Sequence, residues 1–346
     1  MSSRIAINGF GRIGRAFFKA AFARPELDIV AINDLSDPEN LAYLLTYDTA
    51  YGRSRFDVRV ENDMLIVSDG EIEKEITLLS ERDPRVLPWA DMDIDIVVEC
   101  TGVFAGYEKS KPHLEAGAKR VVISAPVKDS PEEAGVSGAT VIIGVNDEKL
   151  ETAQISSNAS CTTNATTPLI EILHEGLGIE KAALNTVHGY TSTQRTVDLP
   201  NPKDFRRGRA AAQNIIPTST GAAIATSQVV PELSGLFDGM AIRVPVIVGS
   251  IADITFVASR ETSVEEVNDM LRSAAEEERW LRTFSTVEEP VVSSDIIGCP
   301  YASLVDLSLT QVIGGTLVKV LAWYDNETGY ANALTEHVIA SAQYIG

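Results

Sequence analysis

The stretch IAINGFGRIGR, residues 5–15, decides the fold. IAINGF (5–10) reads as a buried strand, and GRAFFKAAFA (14–23) carries the apolar spacing of a helix. Between them Gly9, Gly11 and Gly14 fall in a G-x-G-x-x-G frame. Gly9 permits the tight turn, Gly11 lets a pyrophosphate approach the backbone, and Gly14 lets helix and sheet pack closely. The helix start offers free N–H groups and the positive end of its dipole to the phosphates. A second strand, DIVAIN (28–33), leads to Asp34, 20 residues beyond Gly14, the place for a carboxylate that meets the adenosine ribose. The glycine frame by itself arises by chance in any glycine-rich turn; the strand, the helix and the carboxylate together make it a dinucleotide fingerprint. Asp34 repels the 2′-phosphate of NADP, and no basic residue follows in NDLSDPEN (33–40), so the expected cofactor is NAD.

Outward from the fingerprint the same rhythm continues. IDIVVECTG (94–102), a helical stretch near 108–117, KRVVISAP (119–126) and ATVIIGVN (139–146) alternate strand and helix, which predicts a parallel sheet with crossover helices. After residue 161 the texture changes. The helix-like TPLIEILHEGLG (167–178) is followed by longer Val-, Ile- and Thr-rich runs: KAALNTVHGYTST (181–193), MAIRVPVIVGSIADITFVASR (240–260) and GGTLVKVLAWYD (314–325). These predict a second domain with a larger, mostly antiparallel sheet. The expected class is α/β, a Rossmann dinucleotide-binding domain plus an α+β catalytic domain. The expected division is 1–160 and 161–326, with a C-terminal helix at 327–346 packing back on the first domain. TSVEEVNDMLRSAAEEE (262–278) reads as a capped surface helix. Residues 190–215 show little periodicity, and so long a loop in a compact domain is usually functional.

Composition narrows the function. The chain of 346 residues is 45% hydrophobic, ordinary for a globular protein, and has no run long enough to span a membrane. MSSRIAINGF does not read as a signal peptide, so a cytoplasmic location is expected. The net charge of −20 argues against nucleic acid or an anionic membrane as main partner. An anionic substrate then requires a local gathering of cations, and RRGR (206–209) is one. The acidic excess fits either adaptation to high salt or a merely acidic surface. Three cysteines, Cys100, Cys161 and Cys299, make no disulfide framework, and no metal site is expected. Cys100 and Cys299 read as small buried hydrophobes. Cys161, in SSNASCTTNATTPLIEIL (156–173), stands just before a helix, where a thiolate is favoured. Of four histidines, His188 in NTVHGYTSTQ lies at a strand end among polar residues, while His113, His174 and His337 sit in helical stretches and read as surface or capping residues. From the residues alone, a Cys161–His188 pair and two unrelated structural side chains both stay open.

The block around Cys161 resembles the active-site signature of phosphorylating glyceraldehyde-3-phosphate dehydrogenases. The rest agrees in order: INGFGRIGR, ND at 33–34, ERDP at 81–84, ECTGVF at 99–104, ISAP with KD at 123–129, VHGYT at 187–191, RRGRAAAQNIIPTSTGAA at 206–223, GMAIRVPV at 239–246 and WYDNETGYA at 323–331. The resemblance covers essentially the whole chain. It implies Cys161 as nucleophile and His188 as its base, with Thr162 beside the nucleophile. It implies Thr191 and Arg243 for the phosphate of glyceraldehyde 3-phosphate, and Ser160, Arg206, Thr220 and Gly221 for attacking inorganic phosphate. For NAD it implies Arg12, Ile13, Asp34, Arg82, Ser124 and Asn326 beside the glycines. Leu199 and Pro200 match residues that leave no room for a 2′-phosphate on a neighbouring subunit's cofactor, which implies a homotetramer. Ala165, Ile224 and Tyr51 depart from the family's common Cys, Lys and His without touching this chemistry. Two rivals remain: an erythrose-4-phosphate dehydrogenase using water as acceptor, and a non-catalytic NAD-binding protein on the same scaffold.

Overall fold

A computed structural model describes residues 2–202 and 204–345. It contains two compact units, residues 1–159 with 334–346, and residues 160–333.

The first unit is built on a nine-stranded sheet, in the order Gly138–Thr140, Ile155–Ser157, Arg120–Ile123, Ile96–Glu99, Ser3–Asn8, Leu27–Asn33, Glu73–Leu79, Met64–Ser68, Asp57–Glu61. Every pairing up to Glu73–Leu79 is parallel, and the last two are antiparallel. The Ser3–Asn8 strand lies inside the sheet, because the chain crosses to Leu27–Asn33 on one side and later returns to Ile96–Glu99 on the other. That reversal opens a crevice at the carboxyl ends of the strands, where such sheets bind nucleotides. Ala6, Ala31, Val97, Val121 and Ile155 share one core with Trp89 and Tyr107; fully burying one such branched side chain contributes roughly 1.5–3 kcal/mol. The antiparallel edge turns at Asn62 and Asp63, both at positive φ (50° and 60°), as a two-residue primed hairpin requires. The expected strand at 139–146 ends early, at Thr140. Asn146 then takes the backbone: its Oδ1 accepts from Ile142 N at 2.9 Å and its Nδ2 donates to Thr140 O at 3.0 Å, converting the apolar run into a turn.

The second unit holds an eight-stranded sheet of largely antiparallel pairs. Its strand Ile179–Gly189 is the exception that matters: it pairs antiparallel with Ser250–Ala258 but parallel with Phe237–Val244, which sets His188 opposite both Ser250 and Arg243. The Cys161–Leu177 helix buries Ala165, Leu169, Ile170 and Leu173. Strand Ser250–Ala258 alternates strictly, with Ala252, Ile254 and Phe256 buried and Ile251, Asp253, Thr255 and Val257 half-exposed. Among the described residues no helix is long and apolar enough to cross a membrane, and no group of His, Cys, Asp and Glu could hold a metal ion.

Candidate active site

In the first unit the fingerprint forms the turn its glycines require. Gly9 sits at φ 93°, and a Cβ there would lie 2.7 Å from Thr101 N. A Cβ on Gly14 would stand 2.1 Å from Gly9 O, so the helix Arg12–Ala21 approaches the turn only with glycine at this position. A Cβ on Gly11 would meet nothing within 4 Å, so open space lies before the N-terminal end of the helix. Asp34 Oδ2 accepts from Phe10 N at 2.7 Å and its Oδ1 from Ser36 N at 2.9 Å, which ties the acid to the turn and leaves acceptor capacity for ribose hydroxyls. Ile13 follows on the first helical turn; Arg12 pairs with Asp48 at 3.2 Å and lies over the Tyr51 ring. Ser124 follows the strand Arg120–Ile123, its N–H on Glu99 O at 2.9 Å, and Arg82 is exposed on the loop after Leu79. The turn, the open approach and the ribose acid fit a dinucleotide.

The second unit holds the other predicted residues and brings Cys161, His188 and Arg243 together. Ser160 caps the helix, its Oγ accepting from Thr163 N at 3.0 Å, and Cys161 is the first helical residue. The residue before the cap, Ala159, is in the left-handed region at φ 52°, a strained conformation for a side chain other than glycine. Cys161 Sγ lies 3.4 Å from His188 Nε2. On the other side of the imidazole, Nδ1 lies 2.6 Å from Gly189 O and 2.5 Å from Arg243 Nη1, and Arg243 also donates to Gly189 O at 3.0 Å. Tyr324 completes the wall. Its ring meets His188 edge-on at 5.8 Å, and its hydroxyl bonds Thr162 Oγ1 at 2.9 Å and Thr186 Oγ1 at 2.7 Å. Tyr324 was not singled out in the sequence; its signal is a tyrosine that ends an apolar strand and opens the YDN segment, 324–326.

Electrostatics correct one expectation. Burial pushes the Cys161 thiol up, and the Arg243 charge and the N–H groups of Cys161 and Thr162 only partly oppose it. Burial and then Arg243 push His188 down to about 3 against the Gly189 carbonyl. With no substrate the pair therefore rests as neutral thiol and neutral imidazole, because desolvation outweighs the helix N-terminus.

Of the cations and hydroxyls expected to bind anions, Arg243 touches this pair directly, and the others lie in the same unit. Thr191 Oγ1 is 3.0 Å from Thr193 Oγ1, and Thr220 and Gly221 open the helix Ala222–Val229, with Thr220 Oγ1 accepting from Ala222 N at 3.2 Å. Of the two adjacent arginines, Arg206 is the exposed one. Arg207 is the one turned inward: its Nε donates to Thr218 Oγ1 at 2.7 Å, and its charge reaches Arg243, whose pKa is lowered first by burial and further by Arg207. The expectation for Arg206 is corrected on this ground. Both line a hollow of about 440 Å³ with Asp204, Thr218 and Met240. Asn326 is buried, its Oδ1 accepting from Gly249 N and Ser250 Oγ at 3.1 Å each. Leu199 and Pro200 lie exposed in the 190–215 loop, where Leu199 N donates to Gly208 O at 2.9 Å.

The histidine readings divide. His174 caps its helix, Nδ1 accepting from Ile179 N at 3.0 Å. His113 and His337 are not on the surface; both are fully buried. His337 lies 2.7 Å from Ser156 Oγ and 3.1 Å from Asn158 Oδ1, and burial pushes it down to about 3.

Two family models match the chain: the glyceraldehyde 3-phosphate dehydrogenase NAD binding domain over residues 3–107, and the C-terminal domain of the same enzyme over residues 160–326. Among similar proteins, the glyceraldehyde-3-phosphate dehydrogenase of Geobacillus stearothermophilus is 47% identical over 339 residues, 97% of either chain. Glyceraldehyde-3-phosphate dehydrogenase 2 of Streptomyces avermitilis is 46% identical over 340 residues, again 97% of either chain. The glyceraldehyde-3-phosphate dehydrogenase of Borreliella burgdorferi is 47% identical over 341 residues, 96% of this chain and 98% of its own. A nucleotide-binding turn in one unit, a cysteine–histidine pair backed by Arg243 in the other, and matches over nearly the full length lead to one conclusion: the chain belongs to the glyceraldehyde-3-phosphate dehydrogenase family.

Proposed function

We propose that the chain oxidises D-glyceraldehyde 3-phosphate with NAD and passes the acyl group to inorganic phosphate, giving 1,3-bisphosphoglycerate. The observation that carries this reading is Cys161 Sγ at 3.4 Å from His188 Nε2, with Arg243 opposite the same imidazole. Cys161 attacks the aldehyde carbon while His188 Nε2 takes the thiol proton and returns it to the oxyanion, which the Cys161 N–H and the imidazole hold. The product is a hemithioacetal on Cys161. His188 Nε2 then takes the hydroxyl proton as the carbon loses hydride, leaving a thioester. NAD, when bound, supplies the two-electron hydride acceptor; the glycine turn, Arg12, Ile13, Asp34, Arg82 and Ser124 would hold it, and the family resemblance assigns Asn326 to the nicotinamide carboxamide. A phosphate oxygen attacks the acyl carbon, the C–S bond breaks, and Cys161 leaves as thiolate to regain its proton from His188.

Two anions need two clusters. Arg243 with Thr191 takes the substrate phosphate, and Arg207 with Ser160, Thr220 and Gly221 takes the attacking one; Thr162 fixes Tyr324 behind the nucleophile. A phosphate on Arg243 gives the guanidinium an acceptor other than the Gly189 carbonyl and leaves that carbonyl to Nδ1–H, the tautomer whose Nε2 can act as base. Initial rates with glyceraldehyde 3-phosphate decide the matter. NAD is expected to outrun NADP at least about tenfold in kcat/KM, and sustained turnover is expected to require phosphate. Equal turnover without phosphate points instead to hydrolysis, as in an erythrose-4-phosphate dehydrogenase.

The proposed assembly is a homotetramer in the cytoplasm, with no nucleic acid or membrane partner. Its support is the apolar surface of the 190–215 loop, where Phe205 is 84% exposed, beside Val197, Leu199 and Ile215. A lone subunit rarely leaves so much apolar side chain to water. In a tetramer Leu199 and Pro200 would face a neighbour's cofactor. Light scattering is expected to give four times the 37.3 kDa subunit mass. A fully active species at the subunit mass would remove that role from both residues.

A further inference from the structure

Beneath the nucleotide crevice lies a buried polar chain that the proposed chemistry does not use. It joins Trp89, His113, Glu99, Asn8 and Asn33, all less than 5% exposed. Its donors and acceptors have one consistent direction. The Trp89 indole N–H can only donate, and it meets His113 Nδ1 at 3.1 Å. That nitrogen therefore carries a lone pair, so the imidazole proton is on Nε2, which stands 3.3 Å from Glu99 Oε2. The opposite end is set by backbone. Glu81 N donates to Asn33 Oδ1 at 2.8 Å, and Glu81 O accepts from Asn33 Nδ2 at 2.9 Å, so the Asn33 amide cannot be reversed. Its Nδ2 also donates to Asn8 Oδ1 at 2.7 Å, which turns Asn8 Nδ2 onto Glu99 Oε2 at 2.5 Å. Thr101 adds its N–H, 2.7 Å from Oε1, and its hydroxyl, whose oxygen meanwhile accepts from Val103 N at 3.0 Å.

Donors thus converge on both oxygens of position 99, and a carboxyl group accepts from the Asn8 amide, the His113 ring N–H and the Thr101 backbone N–H together. A glutamine in either orientation turns an N–H against another N–H: toward Thr101 one way, toward Asn8 and His113 the other. The residues so gathered end the three strands that frame the crevice. Asn8 immediately precedes Gly9, Asn33 precedes Asp34, and the Thr101 backbone is the surface against which Gly9 packs.

We propose that Glu99 is a positioning residue for NAD: its carboxylate sets the spacing of these three strand ends and holds the turn ready for the pyrophosphate. The inference rests on reading the Gly9–Gly14 turn and Asp34 as the dinucleotide site. Charge alone predicts the reverse effect, since a buried anion near the phosphates opposes their binding and its removal would tighten NAD.

Isothermal titration of the full chain with NAD tests this. Glu99→Gln is expected to bind NAD about tenfold to a hundredfold more weakly, with kcat at saturating NAD within about threefold of the parent, and Glu99→Asp to recover part of the loss. Asn8→Asp is the second variant, since it faces one carboxylate with another. Its NAD affinity is expected to fall at least about tenfold below the parent's, because like charges at this contact push the strand ends apart. Unchanged or tighter binding by Glu99→Gln, with only a lowered melting temperature, overturns the proposal, as does an Asn8→Asp affinity equal to the parent's. Asp34→Ala separates the two levels: if it too leaves NAD binding intact, the reading of the crevice fails; if it weakens NAD while Glu99→Gln does not, the positioning role alone fails.

Discussion

Cys161→Ala reduces NAD-dependent oxidation of glyceraldehyde 3-phosphate by at least about 10⁴-fold, because no other group forms the covalent intermediate and units of this kind lose nearly everything with one member. The Cys161 side chain lies at the start of its helix, 3.4 Å from His188. The fingerprint glycines and Asp34 belong to the other unit, so the dissociation constant for NAD is expected to stay within about twofold. Rapid mixing gives the sharper readout. With NAD and aldehyde but no phosphate, the parent forms about one NADH per site and then slows, as the thioester accumulates; the variant shows no burst. A variant turning over at even one-hundredth of the parental rate would remove Cys161 from the role of nucleophile. Loss of both turnover and NAD binding would point to a folding defect, which circular dichroism would expose.

What could be read from the chain depended on how local each constraint is. The glycine turn was legible because its demands lie within ten residues: positive φ at Gly9 and the contact of Gly14 with Gly9 O involve the same short segment. The parallel core was legible from strand and helix rhythm. The antiparallel edge at 57–79 was not singled out, although Asn62-Asp63 between two alternating runs carries a hairpin signal. The strand expected at 139–146 failed for a side-chain reason, the Asn146 amide bonding the backbone four and six residues back.

At the site, residue types were legible and faces were not. Arg206 and Arg207 are neighbours in a short 3-10 turn, and only folding decides which one faces Arg243. A helix start was visible before Cys161, but not the burial that outweighs it. His113 and His337 lie on helices of mixed composition, and the groups that make burial tolerable, Trp89 and Glu99 for one, Ser156 and Asn158 for the other, are remote in sequence. The convergence of donors on Glu99 depends on atom positions in segments spread from Asn8 to His113, so no pattern in one of them announces it.

His188→Asn is expected to lower kcat by about 10²–10⁴-fold, the usual worth of a positioned base. More diagnostic is the shape of the pH profile. In the free protein His188 is held down to about 3, so above pH 5 the imidazole is already neutral and able to accept the thiol proton. The parent rate therefore should not climb steeply between pH 6 and 8. Without the imidazole, the thiol must lose its proton to solvent, and burial holds that thiol above its ordinary value. The variant's rate should then rise close to tenfold per pH unit through this range, because each unit multiplies the small thiolate fraction by about ten. Alkylation of Cys161 by iodoacetamide, followed over the same pH range, reads the thiolate without the later steps. A matching slope in alkylation and turnover places the loss at proton removal. A variant with reduced kcat but the parent's pH profile in both measurements would mean that His188 only shapes the pocket, and the base would have to be sought elsewhere.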